Sequence, residues 1–167
     1  MTPLISLGVD LASQPRNTGA ALVEWSEEGA ELHLLKAGMT DAALLELAAQ
    51  AQVVAIDAPF GWPSAFLEAV QGAFAFAWPH PPGWPNTLRD ELMYRHTERH
   101  MKAQGLQPLS ASSDKIALPT MRCAGLLQAL GVTDRSGAQG VFEVYPQASL
   151  RRWDLVPARK RRVAQRS

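Results

Sequence analysis

Two apolar runs of strand length, LISLGVDLA at 4–12 and QVVAIDAP at 52–59, each carry one acid near the C-terminal end, Asp10 and Asp57. Short runs this rich in Val, Ile and Leu read as buried strands. Between them, TGAALVEW at 18–25 and AELHLLKA at 30–37 read as two further strands, the second with Leu32 and Leu34 on one face. Short turns join these pieces to the first run, which predicts an antiparallel meander. A helix over Asp41–Gln50, with Thr40 as its N-cap, then leads into the second run. A helical crossover is what parallel strands need, so the runs bearing Asp10 and Asp57 are candidate parallel neighbours.

The rest of the chain is less regular. Residues 59–85 hold Pro59, Pro63, Pro79, Pro81, Pro82 and Pro85 together with Trp62, Trp78 and Trp84, around a short helix near 64–76. This stretch reads either as a rigid lid whose tryptophans stack on a base or as a structured loop over the core. A helix is expected from Asn86 to Ala103, a loop over 106–119 with a flexible Ser110–Ser113, and a helix over 120–130 ending at Gly131. A strand over 141–145 and a helix starting near Gln147 complete the reading. Hydrophobic residues make up 47% of the chain and charged residues 19%, enough apolar surface to exclude global disorder. No run reaches the 18 or so apolar residues of a membrane span, and MTPLISLGVD does not read as a signal peptide. With Cys123 as the lone cysteine no intrachain disulfide can form, and the expected compartment is the cytoplasm.

If the strands of Asp10 and Asp57 are neighbours, the two carboxylates meet at the sheet edge where open α/β folds bind ligands. One such acid alone would read as a turn acceptor. Two side by side repel, and a divalent cation with a preference for oxygen removes the conflict. Glu143, inside FEVYP, is a third acid on an apolar strand, with a solvent-facing position as its plain alternative. Glu98 shares a helix with Arg95 at i−3, a spacing that also suits an ordinary ion pair. His96 and His100 have zinc-ligand spacing, yet no third ligand accompanies them. No phosphate-cradling glycine loop of the usual kinds occurs.

GVDLA with Thr18–Gly19 after it, AIDAPFGWP, YRHTE and EVYPQASLRRW follow one another in an order and spacing that resemble the domain-of-unknown-function 429 family. The resemblance runs from about Leu4 to Trp153. It implies predicted nucleases with a ribonuclease-H-like α/β fold: a mixed five-stranded sheet flanked by helices, its first three strands antiparallel. It further implies that Asp10 and Asp57 are the core metal-binding acids, and that Arg95, Glu98 and Glu143 match family motif positions. Ribonuclease-H-like folds carry a last acid on a C-terminal helix. Here only Asp154 follows Trp153, before a basic tail, which implies a chain cut short or diverged at that end.

The expectation is therefore a domain over 1–153 and a basic tail over 154–167. The chain's formal charge is zero, but residues 151–167 hold seven basic residues against Asp154, a net of +6, so the first 150 carry −6. Such a tail suits phosphate attraction or a solvated end equally. The expected activity is hydrolysis of nucleic-acid phosphodiesters using Mg²⁺ or Mn²⁺. Asp10, Asp57 and Glu143 would be ligands, with Glu98 as another candidate for the shell and Arg95 as its orienter or a phosphate partner. The rivals are a non-catalytic nucleic-acid or nucleotide-binding module and a phosphotransferase of the actin and sugar-kinase type, which needs a second domain.

Overall fold

The computed structural model describes residues 2–155. Strands β1 (Leu4–Asp10), β2 (Gly19–Ser26) and β3 (Gly29–Ala37) form the antiparallel meander. Helix α1 (Asp41–Ala48) crosses to β4 (Val53–Asp57), which lies parallel to β1. Four helices follow, α2 (Ser64–Phe74), α3 (Asn86–Met93), α4 (His96–Ala103) and α5 (Asp114–Ala129). The short β5 (Val141–Glu143) then adds parallel to β4, and α6 (Pro146–Arg152) closes the described chain. The result is one mixed five-stranded sheet in the order β3-β2-β1-β4-β5, flanked by helices, which is the ribonuclease-H-like topology.

Alternation builds the core. Leu7 and Val9 of β1, Val54 and Ile56 of β4 and Ala20 and Leu22 of β2 are buried, and they pack with Leu44 of α1 and Cys123, Leu126 and Leu127 of α5. Thr40 caps α1 as its residue type predicts, its hydroxyl accepting from the Ala43 N–H at 3.3 Å.

Two helices differ from expectation. The helix predicted over 86–103 is interrupted at Tyr94 and Arg95. The Ser110 hydroxyl donates to the Met93 carbonyl (2.5 Å) and the Ser112 hydroxyl to the Leu92 carbonyl (3.0 Å), drawing off the last acceptors of α3. The Glu98 carboxylate accepts the Arg95 N–H at 2.8 Å and so starts α4. Ser110–Ser113 is thus a hydrogen-bonded segment, with Ser110 buried, rather than a flexible loop. Helix α5 begins six residues before its predicted start at 120, taking up part of the expected loop over 106–119, with Pro119 accommodated inside it and buried. The next residue, Thr120, donates its hydroxyl to the Ile116 carbonyl at 2.7 Å. From residue 156 onward the expected basic tail lies outside the described residues.

Arg122 ties α5 to the sheet. Its Nη1 donates to the Ala12 carbonyl (2.7 Å) and the Thr18 hydroxyl (2.6 Å), its Nη2 to the Met39 carbonyl (3.2 Å), and its Nε to Asp41 (2.7 Å). Thr18 is fully buried, and its hydroxyl also accepts the Ala12 N–H, which pins the turn just beyond Asp10. Arg122→Ala is expected to cost about 2–4 kcal/mol, since several buried charge-assisted hydrogen bonds lose their donor. Urea unfolding measures it, and a loss below about 0.5 kcal/mol would show that the clasp is not structural.

Candidate active site

Strands β1 and β4 both end in an acid, and the parallel register pairs Asp10 with Asp57. Paired residues on adjacent strands project from the same face at a backbone spacing of about 4.8 Å. The two carboxylates therefore stand together at the carboxyl edge of the sheet. They line a cleft of about 640 Å³ whose walls also include Arg95, Glu98, Glu143 and Tyr145. All five residues expected from the sequence thus face one cavity.

Asp10 is exposed and Asp57 half-buried. Burial, reinforced by the charges of Asp10 and Glu143, pushes the Asp57 carboxyl up to about 6. Ionising Asp57 at neutral pH costs the protein stability. Its folded-state value lies above the ordinary value of 3.8, so the proton is held more tightly in the folded chain. Stability from this group is then full below about pH 4 and lost as pH rises through about 6. Metal-free Asp57→Asn escapes that loss. It should be more stable than the wild type by about 1–2 kcal/mol at pH 7.5, allowing for solvent screening, and no different near pH 4. Denaturant unfolding at the two pH values checks this, and equal stabilities at pH 7.5 would contradict it.

Glu143 and Glu98 converge on Arg95. Its Nη1 and Nη2 donate to the two oxygens of Glu143 at 2.8 and 2.5 Å, Nε donates to Glu98 at 2.9 Å, and Nη2 also bonds Glu98. The Phe60 N–H adds a 2.8 Å bond to Glu143. Burial alone would lower the Arg95 value, but the hydrogen bonds and charges of Glu143 and Glu98 hold it above the ordinary guanidinium range. Glu143 is in register with Ile56, one residue short of Asp57, which sets it one pleat off from the Asp10–Asp57 pair. Among the described residues no group of three or more His, Cys, Asp or Glu is placed to hold a metal. The donor set nonetheless suits a hard divalent cation, because Mg²⁺ is commonly bound by one or two carboxylates with water filling the rest.

The other sequence candidates lie elsewhere. Trp62, Trp78 and Trp84 do not line the cleft, and neither do His96, His100 or Asp154. The sequence reading missed Tyr145 and Arg135. Tyr145 donates its hydroxyl to Gln147 at 2.6 Å, and burial together with the Asp57 charge pushes the pKa of the phenol up. It directly follows Val144 in the strand-ending motif that drew attention to Glu143. Arg135 sits in a loop with no pattern around it.

The family described as Protein of unknown function (DUF429) matches residues 8–167. The chain belongs to this family. The matched span takes in every acid of the cleft and continues through the basic tail. No curated protein and no solved structure matches the chain. In this DUF429 member the ribonuclease-H-like sheet places Asp10 and Asp57 in register. None of the described helices is long and apolar enough to cross a membrane.

Proposed function

We propose that this chain is a divalent-cation-dependent hydrolase of nucleic-acid phosphodiesters, working in the cytoplasm. The observation that carries the reading is the in-register Asp10–Asp57 pair at the carboxyl edge of two parallel strands, inside a cleft. Mg²⁺ or Mn²⁺ held by these two carboxylates would supply Lewis-acid activation of water and of the phosphate. The protein's own part is to keep the pair together. β1 and β4 fix the backbone spacing, and the Arg122 clasp fixes the turn after Asp10. Arg95 joins Glu98 of α4 to Glu143 of β5, which sets the opposite wall of the cleft. In this reading Glu98, Glu143 and Arg95 act by position, and Glu143 would have to leave Arg95 to become a third ligand.

The same commitment of both glutamates to Arg95 favours a second reading, a non-catalytic nucleic-acid or nucleotide-binding module. End-labelled RNA, DNA and RNA–DNA hybrid, incubated with Mg²⁺, Mn²⁺ or a chelator, separate the two. The hydrolase reading expects cleavage of at least one substrate, abolished by the chelator. Binding without cleavage of any substrate under either cation would leave the module.

A further inference from the structure

A phosphodiester entering the cleft meets four acids, Asp10, Asp57, Glu98 and Glu143, and two arginines, Arg95 and Arg135. Arg95 is taken: its Nε, Nη1 and Nη2 all donate to the two glutamates. With both glutamates ionised, that trio carries a net negative charge. The phosphate role expected of Arg95 therefore needs another cation.

Arg135 is exposed and has no hydrogen bond or ion pair with any other described residue. Its guanidinium lies close to a second loop of the cleft. It lies over Gly61, in the loop that follows Asp57, where a Cβ would come within 3.0 Å of Nη1 and 3.3 Å of Nη2. Gly61 also has φ +147, a conformation that side chains rarely adopt, so glycine both makes the turn and leaves room for the arginine.

The loop that carries Arg135 is held by its neighbours. Gln139 accepts the N–H groups of Thr133 (2.8 Å) and Asp134 (2.9 Å) and donates to the Gly131 carbonyl (3.1 Å). Asp134 accepts from the Ser136 N–H at 2.8 Å and the Ser136 hydroxyl at 2.6 Å. Gly137 is buried against the Phe142 ring. Arg135 contributes none of these ties, so a structural role does not explain it. An unpaired guanidinium on a fixed loop, facing the same cleft as a carboxylate pair, is arranged to meet an anion.

We propose that Arg135 is the phosphate-binding residue of the cleft, its guanidinium donating to non-bridging oxygens of a nucleic-acid phosphodiester while Asp10 and Asp57 serve the cation. This rests on the hydrolase reading above and moves the phosphate contact from Arg95 to Arg135. A planar guanidinium can give two parallel bonds to such oxygens, and an ammonium cannot.

The test uses the full chain, Arg135→Ala, Arg135→Lys and a dye-labelled single-stranded oligonucleotide of about twelve nucleotides. Affinity is measured by anisotropy in Ca²⁺, a divalent oxygen-seeking ion, between about 50 and 200 mM salt. Arg135→Ala should bind about tenfold more weakly, with a salt slope smaller by about one and an unchanged melting temperature. Arg135→Lys should keep the slope and recover only part of the affinity. Equal affinity and slope for wild type and Arg135→Ala would overturn the assignment and leave the hydrolase reading standing. A melting temperature lowered by more than a few degrees would make Arg135 structural and overturn it too. If the wild type binds no oligonucleotide at any salt, the assignment and the nucleic-acid reading fall together.

Discussion

Arg95→Ala should lower the stability of the protein by about 3–5 kcal/mol, the largest loss expected from any single replacement in the cleft. The Arg95 side chain is 15% exposed, Glu98 6% and Glu143 27%, so the substitution strands two carboxylates where water solvates them poorly. It also cuts the hydrogen-bonded link from Glu98 of α4 through Arg95 to Glu143 of β5. Replacing the trio together, Arg95→Met with Glu98→Gln and Glu143→Gln, should recover most of the loss, because no unpaired charge remains. Denaturant unfolding of the three proteins measures both effects. A cost below about 1 kcal/mol for Arg95→Ala would mean that solvent screens the cluster and that it does not hold the wall.

On the proposed hydrolase reading, Asp10→Asn should leave the fold intact and reduce cleavage at least about a hundredfold, since loss of a direct ligand should exceed the effect of losing a residue behind one. The amide keeps the shape of the carboxylate but not its charge. Asp10 is exposed, and its charge is one of the causes that raise the Asp57 value. Removing that charge should therefore hold or slightly increase stability in the metal-free protein. Activity and stability then move in opposite directions, as expected where like charges are kept together for function. Arg95→Ala should lower both. Wild-type cleavage by Asp10→Asn would show that the pair does not carry the chemistry.

The Asp10–Asp57 pair was legible because each acid interrupts an apolar run and a helix lies between the runs. Those facts are enough to place two strands side by side in parallel. The meander was legible for a similar reason, with period-two runs separated by turn residues. What hid from the sequence was set by longer-range bonds. The break between α3 and α4 depends on serines 17 and 20 residues away that take up helix-end carbonyls. Proline disfavours a helix interior, yet Pro119 is buried inside α5, within the stretch expected to be a loop. The role of Glu143 depended on a register one residue out of step with Asp57, and composition carries no trace of register. Arg135 lay in an irregular loop, and only the approach of Gly61 marks its place.

The central claim is that Asp10 and Asp57 hold a divalent cation between them, and Mn²⁺ binding tests it most directly. Wild type, Asp10→Asn and Asp57→Asn are titrated with Mn²⁺ at pH 7.5, following melting temperature and the bound fraction of the ion. The wild type should be stabilised increasingly, as the logarithm of Mn²⁺ concentration once the site fills, with affinity falling below about pH 6 as protons compete for Asp57. Each variant should bind at least about tenfold more weakly. A wild-type melting temperature unmoved by Mn²⁺, or equal binding by all three proteins, would contradict the account.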